Sequence, residues 1–145
     1  MKKNQSNIIR EEEAGMRDIF LRRPFIFKFV ETLLYVFIVL GVLTWIPGNR
    51  VAAILVATVA AIIIVGFAPA IYKAILHPLY QITRTDLIIH MFNKQTKLPL
   101  HELQRDSIWK PVYRANGKKY TVMASREFLA DLDRQIERRQ KRGKV

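Results

Sequence analysis

The chain has 145 residues, half of them hydrophobic, and a formal net charge of +12. It contains no cysteine, which excludes disulfides and thiolate metal sites, and its sequence has no glycine-rich phosphate loop. The apolar residues are concentrated in two stretches, 33–46 and 51–76, whereas the rest of the chain is polar and charged. This segregation predicts a membrane protein with a soluble appendage.

Residues 1–23 form a polar segment of mixed charge that includes the run Arg10-Glu11-Glu12-Glu13. A cleaved signal peptide is not expected, because the apolar stretch that follows is too long and no small-residue cleavage site comes after it. We therefore predict a cytoplasmic N-terminal segment that remains part of the chain.

Residues 24–76 are predicted to form a transmembrane hairpin, with helices over about 25–46 and 51–73. The turn Pro47-Gly48-Asn49 leaves so little chain between the helices that they must be antiparallel neighbours. Lys28 is expected to pair with Glu31, which lies three residues further along the same helix face. Basic and aromatic side chains near the helix ends are predicted to anchor the hairpin at the membrane interface. These anchors are Arg22, Arg23, Lys28, Trp45, Tyr72 and Lys73.

Ala53, Ala57 and Ala61 repeat every four residues on one face of the second helix. Small residues at this spacing allow two membrane helices to approach closely. The first helix, near Gly41, is the simplest partner for this face, and a homodimer contact is the alternative.

The Lys and Arg residues predict the orientation of the hairpin. Six of them precede Pro24 and many follow the second helix, whereas Arg50 is the only one in the connection. Basic flanks stay in the cytoplasm, so we expect a two-pass protein of the plasma membrane with both termini cytoplasmic. Much of the positive charge of the segment 77–145, which has 15 Lys/Arg against 7 Asp/Glu, is explained in the same way.

Beyond residue 76 the hydrophobic period changes, which predicts a small cytoplasmic domain over 77–139 and a basic tail over 140–145. We expect about five short strands, over roughly 80–83, 86–92, 97–103, 108–113 and 120–123. A polar turn is expected at 93–96, and Ala115-Asn116-Gly117-Lys118 predicts a hairpin turn. Ser125 is a suitable N-cap for an amphipathic closing helix, and its predicted apolar face is Phe128, Leu129, Leu132 and Ile136. Possible contacts with anionic lipid are assigned to the basic end of the chain, at Arg138, Arg139, Lys141 and Arg142.

Three motifs in this region resemble bacterial pleckstrin-homology domains. The run Tyr80–Ile89 reads YQITRTDLII, the run Lys97–Leu103 reads KLPLHEL, and Glu127–Leu132 reads EFLADL in the closing helix. The resemblance covers about 60 residues, and many such proteins also place two membrane helices before the domain. It implies an α+β membrane protein, in which a two-helix transmembrane hairpin precedes a pleckstrin-homology-like sheet or barrel with a C-terminal amphipathic helix.

The chain departs from that family in two respects. A full pleckstrin-homology domain has seven strands, so the predicted five leave a sheet edge that is missing or supplied by a partner. The first hairpin loop, Asn93–Lys97, has only two lysines, so recognition of a lipid headgroup by that loop is not carried over.

The expected function is non-enzymatic: a membrane-anchored interaction domain that docks a protein partner, or a second copy of itself, at the inner leaflet. The alternative is a bacteriocin immunity protein of the sublancin type, which the chain resembles in size and layout. An anionic-lipid-binding or transport accessory role is a further alternative.

No cofactor or metal is expected, and nucleic acid is not an expected partner, although Trp109, Tyr113 and Tyr120 lie near basic residues. Enzymatic or transport groups, if present, would be Glu31 with Lys28, or His90 with His101 and Glu102.

Overall fold

The structure is a computed structural model that describes residues 7–143. Within that range the chain is α+β, with four helices and seven strands. In chain order these are β1 (Ile8–Glu13), α1 (Met16–Arg22), α2 (Phe25–Trp45), α3 (Arg50–Leu76), β2 (Leu79–Thr83), β3 (Asp86–Met91), β4 (Lys94–Pro99), β5 (Gln104–Arg105), β6 (Val112–Ala115), β7 (Lys118–Thr121) and α4 (Arg126–Arg142).

The hairpin consists of α2 and α3, which are 21 and 27 residues long and apolar enough to cross a membrane. Gly48 adopts a positive φ in the turn between them, and the Asn49 side chain accepts a hydrogen bond from the Ala52 amide at the start of α3. The helix bounds lie close to the predicted ones, except that α3 continues through Pro69 to Leu76 and ends at His77, whose φ is positive.

The strands form two antiparallel sheets, one in the order β1-β2-β3-β4 and one in the order β5-β6-β7. The predicted turn between β6 and β7 is confirmed, since Asn116 and Gly117 both have positive φ, as a tight hairpin turn requires. Two other predictions were wrong in detail. The expected turn at 93–96 is shorter, because Phe92 adopts a positive φ and β4 begins at Lys94, and the expected strand at 108–113 begins only after Pro111.

The prediction of about five strands missed the two-residue strand β5 and also β1, which lies in the polar segment before the hairpin. It pairs antiparallel with β2, so that Glu11 lies opposite Gln81 and Glu13 lies opposite Leu79. The edge that was expected to be missing is therefore supplied by the chain's own N-terminal segment. Sequence reasoning overlooked it because three successive glutamates do not favour a strand, and because the partner strand lies on the other side of the hairpin.

The core of the soluble domain lies beneath α4. Tyr80, Tyr113 and Phe128 are among its fully buried side chains, and Ile19 of α1 belongs to the same core. Burial raises the pKa of Tyr80 to about 12, and its hydroxyl accepts a hydrogen bond from the Met123 amide. The predicted cap of α4 is confirmed, since the Ser125 hydroxyl accepts a hydrogen bond from the Phe128 amide. The predicted apolar face of α4 is buried along its whole length.

The glutamates of β1 connect three different parts of the molecule. Glu12 accepts hydrogen bonds from the Ser125 amide at 2.7 Å and the Ser125 hydroxyl at 2.8 Å, at the start of α4. Glu11 accepts one from the Gln81 side chain on β2, and Glu13 lies 3.7 Å from the Lys73 ammonium on α3. Arg10 adds ion pairs to Glu127 and Asp131 of α4. The acidic run thus joins β1 to the sheet, to the hairpin and to the closing helix.

Substitution of Glu12 tests this connection. Glu12→Ala leaves the Ser125 amide and hydroxyl without their acceptor, and we expect it to lower the free energy of unfolding by about 1–2 kcal/mol. The matched control is Glu11→Ala, which removes one exposed hydrogen bond and is expected to change stability by no more than about 0.5 kcal/mol. Unfolding of both variants in the same detergent, followed by circular dichroism, measures the difference. Equal losses would contradict the assigned role of Glu12.

Candidate functional site

The soluble domain has two ends that differ in their distance from the hairpin. At the hairpin end, β2 begins only three residues after α3, and the start of α4 is hydrogen-bonded to Glu12. At the far end, the turn after β2 contains Arg84, whose carbonyl oxygen accepts a hydrogen bond from Arg139 Nε at 2.6 Å. Helix α4 therefore runs from the hairpin end of the domain to its far end. The two ends are about 17 Å apart, which is the length of a five-residue strand such as β2. Each end carries a basic surface.

The first surface is a cleft of about 740 Å³ at the hairpin end, between the α1–α2 junction and the segment 106–112. We call it the junction cleft. Phe25, the first residue of α2, forms part of its wall together with Leu21 and Trp109. The wall also contains one acidic residue, Asp106, and six basic ones, which come from five separate parts of the chain. The basic residues are Arg22, Arg23, Lys28, Lys110, Lys119 and Arg126.

Only part of this positive charge is neutralised. Arg22 pairs with Asp18 at 3.7 Å, Arg23 pairs with Glu31 at 2.7 Å, and Lys119 pairs with Asp106 at 3.0 Å. Lys28, Lys110 and Arg126 form no ion pair with any residue in the range 7–143. The cleft therefore carries an excess of about three positive charges, and its potential favours an anion.

Asp106 holds one wall of the junction cleft in place. Its carboxylate contacts the Lys119 ammonium and, at 2.8 Å, the Arg114 guanidinium. The hydrogen bond from Lys119 lowers the pKa of Asp106, with a further contribution from the charge of Arg114. Asp106 is thus ionised at neutral pH and already engaged, so it does not neutralise Lys110.

Two buried guanidinium nitrogens at the junction cleft lack an acceptor. Within the described range, Arg22 Nη1 and Arg23 Nε are buried and make no hydrogen bond. The Arg23 side chain is only 10% exposed. Arg22 Nη1 faces the Asp18 carboxylate at 3.7 Å, so both nitrogens belong to the packed wall of the cleft and not to its accessible surface.

The rim of the junction cleft is apolar. Trp109, which lines the cleft, is 93% exposed, and Leu21 is exposed on the facing side. The neighbouring Ile108, which lines an adjoining cavity, is 84% exposed. Exposed apolar side chains beside a cationic cavity form an amphipathic surface.

The second surface, which we call the arginine groove, lies at the far end. It has a volume of about 310 Å³ and is formed by Ile9 of β1, Arg84, and the α4 residues Gln135, Arg138, Arg139 and Arg142. None of the four arginines forms an ion pair within the residues that the structure describes. Arg138 and Arg142 are four residues apart on one helix face, a spacing at which like charges repel.

The predicted interface anchors lie mostly at the hairpin end. Tyr72 stacks on Phe27 with 4.5 Å between the ring centroids, and Lys73 lies beside Glu13. Arg22, Arg23 and Lys28 line the junction cleft, whereas Trp45 lies at the opposite end of α2. The expected pairing of Glu31 with Lys28 was wrong, because Glu31 is buried against Arg23 instead.

The predicted packing residues Ala53, Ala57 and Ala61 are half-buried, whereas most apolar residues of α3 are exposed. Ala61 lies near Thr32 and Tyr35 of α2. Gly41 does not take part in this contact, since a Cβ built on it would meet nothing within 4 Å. The homodimer alternative for this face stays a prediction.

The predicted lipid contacts Arg138, Arg139 and Arg142 lie in the arginine groove, and Lys141 is exposed nearby on α4. The structure thus places them at the far end of the domain, while Lys110, Lys119 and Arg126, which sequence reasoning had not assigned, lie at the hairpin end. No local signal identified these three residues, because the 106–112 segment, β7 and α4, on which they lie, meet only in the folded molecule.

The other groups considered from the sequence do not converge. His90 lies opposite Gln95 near the start of β4, whereas His101 follows the opposite end of that strand. Tyr113 is buried and donates a hydrogen bond to Asp133, so it is not available for stacking on a base. Among residues 7–143 there is no group of three or more acidic or histidine side chains that could hold a metal ion.

Comparison of the chain with protein-family models, with curated proteins and with solved structures gives no match in any of the three.

The ion pair beneath the junction cleft gives a testable prediction. Glu31→Gln leaves the buried Arg23 guanidinium without its counter-charge, and we expect a loss of about 2–3 kcal/mol in the free energy of unfolding. Lys28→Gln is the control, because this exposed lysine is the partner expected from sequence, and we expect a change within about 0.5 kcal/mol. Unfolding in one detergent compares the two variants. A larger loss for Lys28→Gln would contradict the assigned pair.

Proposed function

We propose that this protein is a non-enzymatic membrane anchor for a pleckstrin-homology-like domain, which docks an acidic segment of a protein partner on the cytoplasmic side of the cell membrane. The observation that carries the proposal is the arginine groove, which holds four unneutralised arginines at the end of the domain away from the hairpin.

Membrane insertion is supported by the surface of the hairpin. The most apolar 18-residue window of each helix is only 6% buried within the structure, and side chains such as Phe37 and Val51 are about 70% exposed. A hydrophobic surface of this extent in water would carry a large free-energy cost, whereas a bilayer covers it. In our proposal α2 and α3 therefore cross the membrane.

The orientation is supported by the charges at the two ends of the hairpin. The connection between α2 and α3 contains Arg50 alone, whereas the opposite end carries all the basic residues of the junction cleft. Because basic flanks are retained in the cytoplasm, both termini are cytoplasmic in our proposal.

The pleckstrin-homology-like fold is supported by the order of elements in the soluble part. Seven strands in antiparallel sheets of four and three, followed by one helix that covers the core, match the strand number that the sequence resemblance implies. Sequence reasoning missed β1 and β5, and β1 is an outer strand of the four-stranded sheet, where its charged run Arg10-Glu11-Glu12-Glu13 discourages pairing with another chain. The outer strand β4 carries Lys94, Lys97 and Pro99, which are residues that discourage pairing with another strand.

The arginine groove favours a protein segment with carboxylates. Four guanidinium groups around the half-exposed Ile9 offer charge-assisted hydrogen bonds together with a small apolar contact. The repulsion between Arg138 and Arg142 is relieved when acidic side chains bind between them. The groove faces away from the hairpin, which exposes it to the cytoplasm rather than to the bilayer beneath the domain.

Site-specific photo-cross-linking in the cells that make the protein tests this proposal. We expect a photoreactive residue at Gln135, inside the groove, to give a discrete adduct with another protein, and the same residue at Glu137, outside the groove, to give none. The double substitution Arg138→Glu/Arg142→Glu places like charges against the acidic segment and should lower the adduct yield by about tenfold or more. The charge-matched control Lys97→Glu/Lys118→Glu should leave it unchanged.

Three results would contradict the docking proposal: no adduct at Gln135, an adduct formed only with a second copy of the chain or with nucleic acid, or an adduct whose yield does not respond to the arginine reversals.

A further inference from the structure

The junction cleft has no role in the docking of a protein at the far end, and its position points to a different ligand. Phe25 at the start of α2 lies in its wall, and Lys28 is one helical turn further along. If α2 crosses the membrane, as proposed above, the cleft lies at the level of the lipid headgroups. The inference below rests on that part of the proposed function.

The charge of the junction cleft specifies the chemistry of the ligand. Lys110 and Arg126 are exposed on two separate walls, and neither has an acidic partner in the described part of the chain. Lys28, on the first turn of α2, is a third exposed cation in the wall of the cleft. A phosphate group supplies several charged acceptor oxygens at once, which suits guanidinium and ammonium donors arranged around one cavity.

The rim distinguishes a lipid from a soluble phosphate compound. Ile108 and Trp109 are almost fully exposed, and Leu21 of α1 and Phe25 of α2 continue the apolar surface. Tryptophan at the headgroup level places its ring in the boundary between the acyl chains and water. A ligand with an acyl chain would satisfy this surface, whereas a free phosphate would leave it exposed to water.

We infer that the junction cleft binds the phosphate headgroup of an anionic phospholipid of the inner leaflet, with Ile108 and Trp109 inserted beside its acyl chains. The cavity volume, about 740 Å³, is within the range of small-molecule sites and accommodates a lipid headgroup. The bound phosphate would neutralise the unpaired charges of Lys28, Lys110 and Arg126.

The two tryptophans of the chain allow a direct test with the full-length protein in vesicles. In a Trp45→Phe background, Trp109 is the only tryptophan, and brominated acyl chains quench its fluorescence on contact. The vesicles contain either brominated phosphatidylglycerol in unlabelled phosphatidylcholine or brominated phosphatidylcholine in unlabelled phosphatidylglycerol, at equal mole fractions. We expect Trp109 to be quenched more strongly by the anionic lipid.

Variants identify the residues responsible for this preference. Lys110→Gln/Arg126→Gln should weaken the relative affinity for the anionic lipid by about thirtyfold, which corresponds to about 1 kcal/mol for each of the two basic residues near the headgroups. The control Lys97→Gln/Lys118→Gln removes the same charge from exposed lysines outside the cleft, and should retain the preference. Millimolar inorganic phosphate should not displace the lipid.

Equal quenching by the two lipids, equal loss of the preference in both double variants, or displacement by inorganic phosphate would each overturn the inference. The last result would assign the cleft to a soluble anion. A Trp109→Phe variant, in which Trp45 is the only tryptophan, tests membrane insertion separately. If Trp45 is unquenched by either lipid, the proposed membrane insertion fails, whereas quenching of Trp45 with no lipid preference at Trp109 refutes the headgroup site alone.

Discussion

The antiparallel pairing of β1 with β2 is the constraint on which the rest of the molecule depends. These strands precede and follow the helical hairpin, so their pairing brings both ends of the hairpin to one sheet. Backbone hydrogen bonds along β1 are reinforced by Glu12 at the start of α4 and by Glu13 beside α3. The soluble domain is therefore attached to the hairpin by two chain segments, not by a single tether.

This double attachment gives the two basic surfaces their positions. The junction cleft forms only where α1 leads into α2 and meets the segment 106–112, so it is held beside the start of the hairpin. The arginine groove forms where α4 reaches the turn after β2, at the other end of the domain. In our proposal the two ends have different partners, a lipid headgroup near the bilayer and an acidic protein segment away from it. The net positive charge of the chain then has three explanations: the basic flanks that orient the hairpin, the junction cleft and the arginine groove.

The parts of the fold that depend on local sequence could be predicted. The hairpin follows from apolar runs of membrane-spanning length and the Pro47-Gly48-Asn49 turn, and the start of α4 follows from Ser125 and the periodic apolar residues after it. The turn at Asn116-Gly117 was predicted because these residues tolerate positive φ.

The parts that depend on contacts between distant segments could not be predicted. Strand β1 consists largely of charged residues whose partners are found on β2, α3 and α4, so its own pattern carries no strand signal. The same reasoning applies to the junction cleft, because Arg23, Lys110 and Arg126 are far apart in the chain and become one site only in the folded molecule. The pairing of Glu31 was missed because Lys28 is nearer in sequence, whereas Arg23 is nearer in space.

The most direct test of the double attachment is a disulfide between β1 and β2. Glu11 and Gln81 lie opposite each other, at a Cα separation of about 4.5–5.5 Å for antiparallel pairs, which a disulfide can bridge. Because the chain has no cysteine of its own, Glu11→Cys/Gln81→Cys should form one intramolecular bond on mild oxidation in native membranes. Closing a loop of this length should raise the free energy of unfolding by about 4 kcal/mol.

The pair Glu11→Cys/Lys118→Cys, which joins β1 to the other sheet, serves as the control and should oxidise slowly. Oxidation of the β1–β2 pair no faster than this control, or a disulfide formed only between chains, would contradict the account.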